Sequence, residues 1–333
     1  MKSISAFMQK YGVVVAFVLL FLIAALRQPD IFLKAENLRN LLNQNAPIGI
    51  VAIGMTLVII AGGIDLSVGS IFALAACIGL LALNKLIAGG SSEVTASLLA
   101  VAVMVGVGGL LGAFNGVMVV FGRVAPFVAT LVGLVAYRSM CLAIAEGGEI
   151  RSSSPDFFPS LGSGGVPIPG LTVGVKGDPL VITWGVFLFI AIALLAGFLL
   201  NHTRFGRYTI AVGANERAAR YSAVATGRTK FYTYTLAGIF AGCAAVALST
   251  RLNSVASSTY GLYYELDAIA AVVIGGTSLR GGSGRIWGTV VGVLLLGIIT
   301  NILVLEGVSI YWQGVVKGAI ILAAVLMQRG RDQ

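Results

Sequence analysis

The chain alternates between long apolar stretches and shorter breaks that are polar or rich in glycine and proline. A helix that crosses a bilayer needs about 20 consecutive apolar residues, and each stretch approaches that length. The pattern predicts an all-α membrane protein with about ten transmembrane helices, in a single transmembrane domain covering residues 1–333. The predicted spans are residues 11–26, 44–61, 67–87, 98–121, 125–146, 180–200, 231–250, 263–279, 286–304 and 311–328.

The composition supports a membrane protein rather than a soluble globule. Of the 333 residues, 58% are hydrophobic and 11% are charged, whereas a soluble domain carries about 25% charged residues. Glycine is frequent, at 44 residues. Because small residues let helix backbones approach closely in lipid, we expect glycine at the contacts between spans.

The basic residues predict the orientation, because cytoplasmic loops of membrane proteins carry an excess of lysine and arginine. With the N-terminus in the cytoplasm, the inside segments hold 13 basic residues. The outside segments then hold six, of which the first three run against the rule: Arg27, Lys34, Arg39, Arg151, Lys176 and Arg251. The prediction is a multi-pass protein with both termini in the cytoplasm. The charge lies on these loops, which indicates contact with membrane lipid and no nucleic-acid partner.

Two extramembrane segments are long enough to have a function of their own. Residues 147–179 contain five of the eight prolines and predict an ordered external loop. Residues 201–230 are predicted to be cytoplasmic and contain six basic residues, with Glu216 as the only acid.

A short helix is predicted inside the cytoplasmic segment. Asn215 suits the N-cap position, and Glu216 in the first turn would oppose the helix dipole. Such a helix either fits a cleft in a partner protein or lies at the membrane interface with its arginines against anionic lipid. The local sequence favours neither alternative.

No set of residues in this sequence fits catalysis or metal binding. His202 is the only histidine, and the three cysteines lie in apolar runs without a paired spacing. None of the seven lysines follows a glycine, whereas an ATP-binding P-loop requires Gly-Lys. We therefore expect no catalytic residues, no metal, no cofactor and no ATPase site in this chain.

Polar groups inside a membrane are costly and are functional candidates by default. Asp65 and Ser67 lie at the junction of the second and third spans, where Asp65 either caps the third span or takes part in gating. Phe127 is a further candidate for the pathway, and Lys317 is expected to snorkel towards an interface. Four amides could bind a hydroxylated substrate or form interhelical hydrogen bonds instead: Asn45, Asn115, Asn301 and Gln313.

Five stretches of the chain carry a resemblance to a known family. They are AIGMTLVIIAGGIDLSVGS (52–70), FNGVMVVFGRVAPFVATLV (114–132), TRFGRYTIAVGANERAARYSAVAT (203–226), ELDAIAAVVIGGTSLRGGSGRIWGT (265–289) and GVSIYWQGVVKGAIILAAVL (307–326). In content, order and spacing the chain resembles the permease subunits of bacterial ATP-binding-cassette (ABC) importers for monosaccharides, the ribose, xylose and galactose branch.

The resemblance implies a set of partners and a location. A second copy of the permease would form a homodimer with the pathway near its axis, in the bacterial inner (plasma) membrane. A cytoplasmic ABC ATPase subunit would hold ATP and Mg, and a periplasmic binding protein would deliver a pentose or hexose. The family's coupling helix, which docks on the ATPase, matches this chain at Gly213, Asn215, Glu216, Ala219 and Arg220.

The chain departs from the family in two places within that loop. It has Gly213-Ala214-Asn215 where the family commonly has Gly-Gly-Asn, and Tyr221-Ser222-Ala223-Val224 where Leu-Ser-Gly-Ile is common. These differences put in doubt which ATPase fits. Two other functions stay as alternatives: a permease of the same family for a nucleoside or other polar solute, and an ion-coupled secondary transporter that works without an ATPase.

Overall fold

The structure is a computed structural model that describes residues 2–173 and 178–329. Met1, residues 174–177 with Lys176, and residues 330–333 lie outside the described part. The helices are α1 (Lys2–Arg27), α2 (Pro29–Phe32), α3 (Ala35–Ile60), α4 (Val68–Ala88), α5 (Glu93–Val120), α6 (Pro126–Ile144), α7 (Phe157–Ser163), α8 (Trp184–His202), α9 (Arg204–Ala214), α10 (Glu216–Tyr221), α11 (Thr226–Leu252), α12 (Tyr264–Ile274), α13 (Ile286–Leu305) and α14 (Ile310–Arg329). The strands are β1 (Glu149–Arg151), β2 (Gly165–Val173), β3 (Asp178–Thr183) and β4 (Ser254–Ala256).

The predicted all-α membrane architecture is confirmed, with two small antiparallel strand pairs added to it. Among the described residues, seven helices are long and apolar enough to cross a membrane: α3, α4, α5, α6, α8, α11 and α13. The count of ten crossings is not confirmed, although each predicted span coincides with a helix. Helix α12 has 11 residues and is about 16 Å long, roughly half the thickness of a bilayer core.

Helix α3 forms the centre of the bundle. From Ile50 to Ile60 every residue is buried, and the helix packs against α8, α11, α12 and α13. A helix that is hydrophobic on all sides is typical of such a central position.

Glycines bring α5 and α11 into close contact, as the composition predicts. A methyl group on Gly108 would lie 2.4 Å from the carbonyl oxygen of Gly238, and one on Gly112 would lie 2.4 Å from that of Tyr234. Real side chains do not tolerate such distances. The two backbones therefore touch directly, which is how helices pack tightly in lipid.

Three chain segments meet at one end of the bundle, which we call the α10 end (residues 61–67, 203–225 and 275–285). Gly282 donates its N–H to the carbonyl oxygen of Ile60, at 2.9 Å. A methyl group on Gly213 would lie 1.7 Å from the same oxygen, and one on Gly281 would lie 3.0 Å from Gly62 Cα. The sequence assigns all three segments to the same side of the membrane, and they do lie together.

The opposite end of the bundle, the hairpin end (residues 147–173, 178–183 and 253–263), is covered by the predicted external loop. Strand β1 pairs with β4, and β2 pairs with β3. The Glu93 carboxylate accepts the N–H groups of Asp156 at 2.8 Å and Phe157 at 2.6 Å. Thr183 donates to Asn43 Oδ1 at 2.8 Å. The prediction of an ordered loop is confirmed for its described part.

Candidate coupling surface and transport pathway

Helix α10 is the predicted short cytoplasmic helix, and its start is fixed by the local sequence. Asn215 has extended backbone angles, φ −160° and ψ 100°. Its Oδ1 accepts the N–H of Ala218 at 3.0 Å, a cap that contributes about 1 kcal/mol to helix stability. The predicted N-cap and helix are therefore confirmed, while the role in docking an ATPase is a separate matter.

The Glu216 carboxylate ties α10 to the beginning of α11. It accepts hydrogen bonds from the Lys230 ammonium at 2.6 Å and from the Arg220 guanidinium at 3.2 Å. These two cations, Lys230 above all, hold the pKa of Glu216 below its usual range. The carboxylate stays ionised at neutral pH and helps to fix the orientation of α10.

The remaining residues assigned to coupling divide into packed and exposed positions. Gly213 has no room for a side chain beside Ile60, and Ala219 is a buried residue of α10. Arg220 keeps 70% of its side chain exposed. Tyr221 is 91% exposed and forms the tip of the helix, a position that the sequence marked only as a departure from the family.

A buried hydrogen-bonded network occupies the junction of α3 and α4. Asp65 Oδ1 accepts the backbone N–H of Ser67 at 2.9 Å and its hydroxyl at 2.6 Å. Asn115 of α5 donates to Ser67 Oγ at 2.7 Å, and Tyr137 of α6 donates to Asn115 Oδ1 at 2.9 Å. Ser67 occupies the N-cap position of α4, and Asp65 accepts its backbone N–H, so Asp65 does bind a backbone N–H at the start of the third span, as the capping alternative expects.

Asp65 lies in the turn between the two helices and is fully buried. Burial raises its pKa to about 6, although the hydrogen bonds from Ser67 act in the opposite direction. Its second oxygen, Oδ2, has no hydrogen-bond partner among the described residues. Sequence reasoning missed the Tyr137 hydroxyl, which joins the network because α6 packs against α4.

A cavity of about 440 Å³ lies between α3, α12, α13 and α14 towards the hairpin end. Asn45 and Asn301, both predicted for the pathway, line it. Asn301 exchanges hydrogen bonds with Asn37 at 2.9 and 3.2 Å. Lys317 also lines the cavity and pairs with Asp267 at 3.0 Å, while the expectation that it snorkels towards an interface stays a prediction.

The seven pathway candidates therefore form two groups and leave two residues apart. Asn45 and Asn301 share the cavity, whereas the other group, at the α3–α4 junction, is the buried network of Asp65, Ser67 and Asn115. Gln313 donates to the carbonyl oxygen of Val308 at 3.0 Å and does not line the cavity. Phe127 lies in the first turn of α6 with 55% of its surface exposed.

Comparison with known proteins places this architecture in a class of transport permeases. The family described as "Branched-chain amino acid transport system / permease component" matches residues 37–325. The chain belongs to this family and is a multi-pass membrane permease.

Individual relatives match nearly the whole chain. The chain is 41% identical to ribose import permease protein RbsC of Bacillus subtilis, over 98% of this chain and 94% of that protein. It is 39% identical to the RbsC protein of Escherichia coli K12, over 98% and 96%. Identity to xylose transport system permease protein XylH of E. coli K12 is 32%, over 98% and 93%. These matches confirm the resemblance seen in the sequence. No solved structure matches the chain.

Proposed function

We propose that this permease is the transmembrane subunit of an ATP-driven importer for a pentose or hexose. The observation that carries the proposal is the match, over 98% of the chain, to relatives named for ribose import and xylose transport. We further propose a homodimer in the bacterial inner membrane with both termini in the cytoplasm. A periplasmic sugar-binding protein delivers the substrate, and a separate ABC ATPase supplies the energy.

The α10 end is the proposed docking surface for the ATPase. Helix α10 presents Arg217, Arg220 and Tyr221 outwards, while Glu216 and Lys230 clamp it to α11. ATP and Mg bind on the ATPase, and this chain itself binds no cofactor. When the ATPase dimer closes on ATP, the two docked α10 helices move with its surface. The clamp then transmits this displacement to α11.

Motion of α10 reaches the membrane helices through direct backbone contacts. Gly213 lies against Ile60 at the end of α3, and Gly282 donates to the same carbonyl oxygen. Because these backbones are in direct contact, a displacement of the α9–α10 segment is passed on to α3, as close-packed protein interiors transmit strain. Movement of this end then alternates the access of the pathway between the two sides of the membrane.

Uptake of radiolabelled D-ribose tests the proposal in cells that lack the chain and in cells that regain it. We expect restored uptake, competition by unlabelled D-xylose, and loss of uptake when ATP is depleted. Competition by uridine without competition by sugars would favour the nucleoside alternative. An ion-coupled transporter depends on titrating carboxylates in the membrane. A protonophore collapses the proton gradient that such a transporter uses. Uptake that is abolished by a protonophore while ATP is maintained would contradict the ABC mechanism.

A further inference from the structure

A groove of about 660 Å³ runs between α8 and α13 and reaches the α10 end of the bundle. Most of its wall is apolar and is formed by Ala193, Leu194, Phe198, Val290 and Val291. The last residue of α8 is His202, and the stretch of α8 from there back to Ala193 is about 14 Å long. That length is roughly half of the bilayer core. The groove therefore spans the depth of one lipid leaflet.

The mouth of this groove, at the α10 end, is rich in hydrogen-bond donors. Asn201, His202, Arg285 and Trp287 line it, and each of these side chains carries N–H groups. Asn201 donates one N–H to a backbone carbonyl at 2.9 Å and keeps the second. The Arg285 guanidinium lies 5.9 Å from the centre of the Trp287 ring, a cation–π distance that holds it at the mouth. The mouth therefore suits a ligand that accepts hydrogen bonds.

The charge at the mouth favours a ligand with a net negative charge. None of the residues that line the groove is an aspartate or glutamate. Within residues 2–173 and 178–329, no carboxylate pairs with Arg285, so its positive charge is available to a ligand. A guanidinium binds phosphate through two parallel hydrogen bonds. The ammonium group of a zwitterionic lipid would find no carboxylate here, so an anionic headgroup fits better than a zwitterionic one.

We propose that this groove binds one anionic phospholipid per protomer, with the lipid phosphate on Arg285 and an acyl chain between α8 and α13. The lipid comes from the cytoplasmic leaflet, a placement that rests on the proposed orientation of the chain. Basic pockets between transmembrane helices on the cytoplasmic side are typical sites for anionic headgroups, and tryptophan is enriched at that depth. The bound lipid fills the space between two helices that both pack against α3.

Quenching of Trp287 fluorescence by brominated lipid tests the proposal, because bromine quenches a tryptophan that it contacts. The chain has three tryptophans. Trp184→Phe together with Trp312→Phe, both at exposed positions, leaves Trp287 as the single reporter. The full-length permease is purified in detergent and titrated with phosphatidylglycerol that carries bromine on its acyl chains. A parallel titration uses brominated phosphatidylcholine, whose headgroup has no net charge.

We expect phosphatidylglycerol to quench Trp287 in a saturable manner and to bind about fivefold more tightly than phosphatidylcholine, the gain expected from one arginine near the membrane surface. Unbrominated phosphatidylglycerol reverses the quenching, whereas inorganic phosphate does not, because it lacks the acyl chains.

Arg285→Gln, made in the same reporter chain, should lower the affinity for phosphatidylglycerol to that for phosphatidylcholine. Arg285 is exposed, so the unfolding temperature without lipid stays the same. The matched control is Arg228→Gln, which removes one exposed positive charge in the first turn of α11, outside the groove. This control keeps the preference for phosphatidylglycerol.

Four results would overturn the lipid proposal. Equal affinity for the two lipids would show that the groove does not select the headgroup, and a preference that persists in Arg285→Gln would exclude the assigned contact. Displacement by inorganic phosphate would show a site for a free anion rather than a lipid. Absence of quenching by either lipid would show that another protein chain, such as a second permease, covers the groove. Sugar uptake is not measured here, so each of these failures leaves the proposed function standing.

Discussion

The Glu216 carboxylate lies 2.6 Å from the Lys230 ammonium and joins the exposed helix α10 to the start of α11. The two residues are 14 positions apart in the chain, and Lys230 has only 21% of its side chain exposed. The pair therefore holds α10 on the helix through which the proposed ATPase would act. Four predictions address this end of the molecule and the buried network beside it.

Glu216→Gln removes the clamp without changing the size of the side chain. We expect sugar uptake to fall at least about fivefold, which corresponds to a coupling loss of about 1 kcal/mol. The fold itself loses less than about 1 kcal/mol, because the pair is partly exposed and screened by water. Uptake is compared with thermal unfolding of the purified permease in detergent.

The matched control for that variant is Glu149→Gln at the hairpin end. Glu149 pairs with Arg151 at 3.3 Å on the surface, so its loss removes an ion pair remote from α10. Uptake should stay at the level of the unchanged chain. Equal losses in both variants would contradict the role of the Glu216 clamp.

Tyr221→Ala tests the tip of α10. The side chain is 91% exposed, so we expect the thermal stability of the permease to stay the same. Exposed aromatic residues carry much of the binding energy at protein interfaces, and we expect co-purification of the ATPase to fall. Tyr311→Ala is the control, because Tyr311 is 90% exposed on the first turn of α14. Retained ATPase in the Tyr221 variant would show that the tip does not contact it.

Gly213→Ala tests the contact between the α9–α10 segment and α3. The added methyl group would lie 1.7 Å from Ile60 O, so the segments must separate. We expect a loss of about 1–3 kcal/mol in stability, as is usual for overpacking, together with a lower unfolding temperature. Gly197→Ala, where no atom lies within 4 Å of the added group, should lower neither stability nor uptake. An unchanged unfolding temperature in the Gly213 variant would contradict the contact.

The raised pKa of the buried Asp65 carboxyl predicts that the stability of the permease in detergent depends on pH. Burial raises its pKa from 3.8 to about 6, so the folded state binds a proton that the unfolded state has already released at pH 5. Stability therefore falls as pH rises through this window, by about 2–3 kcal/mol in total. Asp65→Asn should flatten this part of the profile, whereas Asp30→Asn, at an exposed position, should not. An unchanged profile in Asp65→Asn would show that another group titrates.

Local features were predictable from the sequence. Features that depend on which faces of separate helices meet were not. The cap at Asn215 and the charge of Glu216 follow from neighbouring residues. The grouping of Asn45 with Asn301, and of Asn115 with Tyr137, depends on which faces of separate helices meet. Spans that are apolar nearly all round do not encode that facing in their hydrophobic pattern.

The predicted eighth span shows the same limit in a different way. Residues 263–279 are apolar enough to predict a full crossing, yet α12 ends at Ile274. Gly276 follows with φ +88°, a left-handed conformation that glycine adopts without strain. A pair of glycines inside an apolar run is compatible with a helix in lipid. The sequence therefore could not tell a packed glycine from the turn that ends this helix.

The central claim is that this permease works with a separate ATPase, and isolation of the tagged chain from its native membrane in mild detergent tests it most directly. The account predicts that a P-loop ATPase comes with the permease in equal copy number, and that its amount falls in Tyr221→Ala but not in Tyr311→Ala. Isolation of the chain alone, with no ATPase captured even after crosslinking, would contradict it.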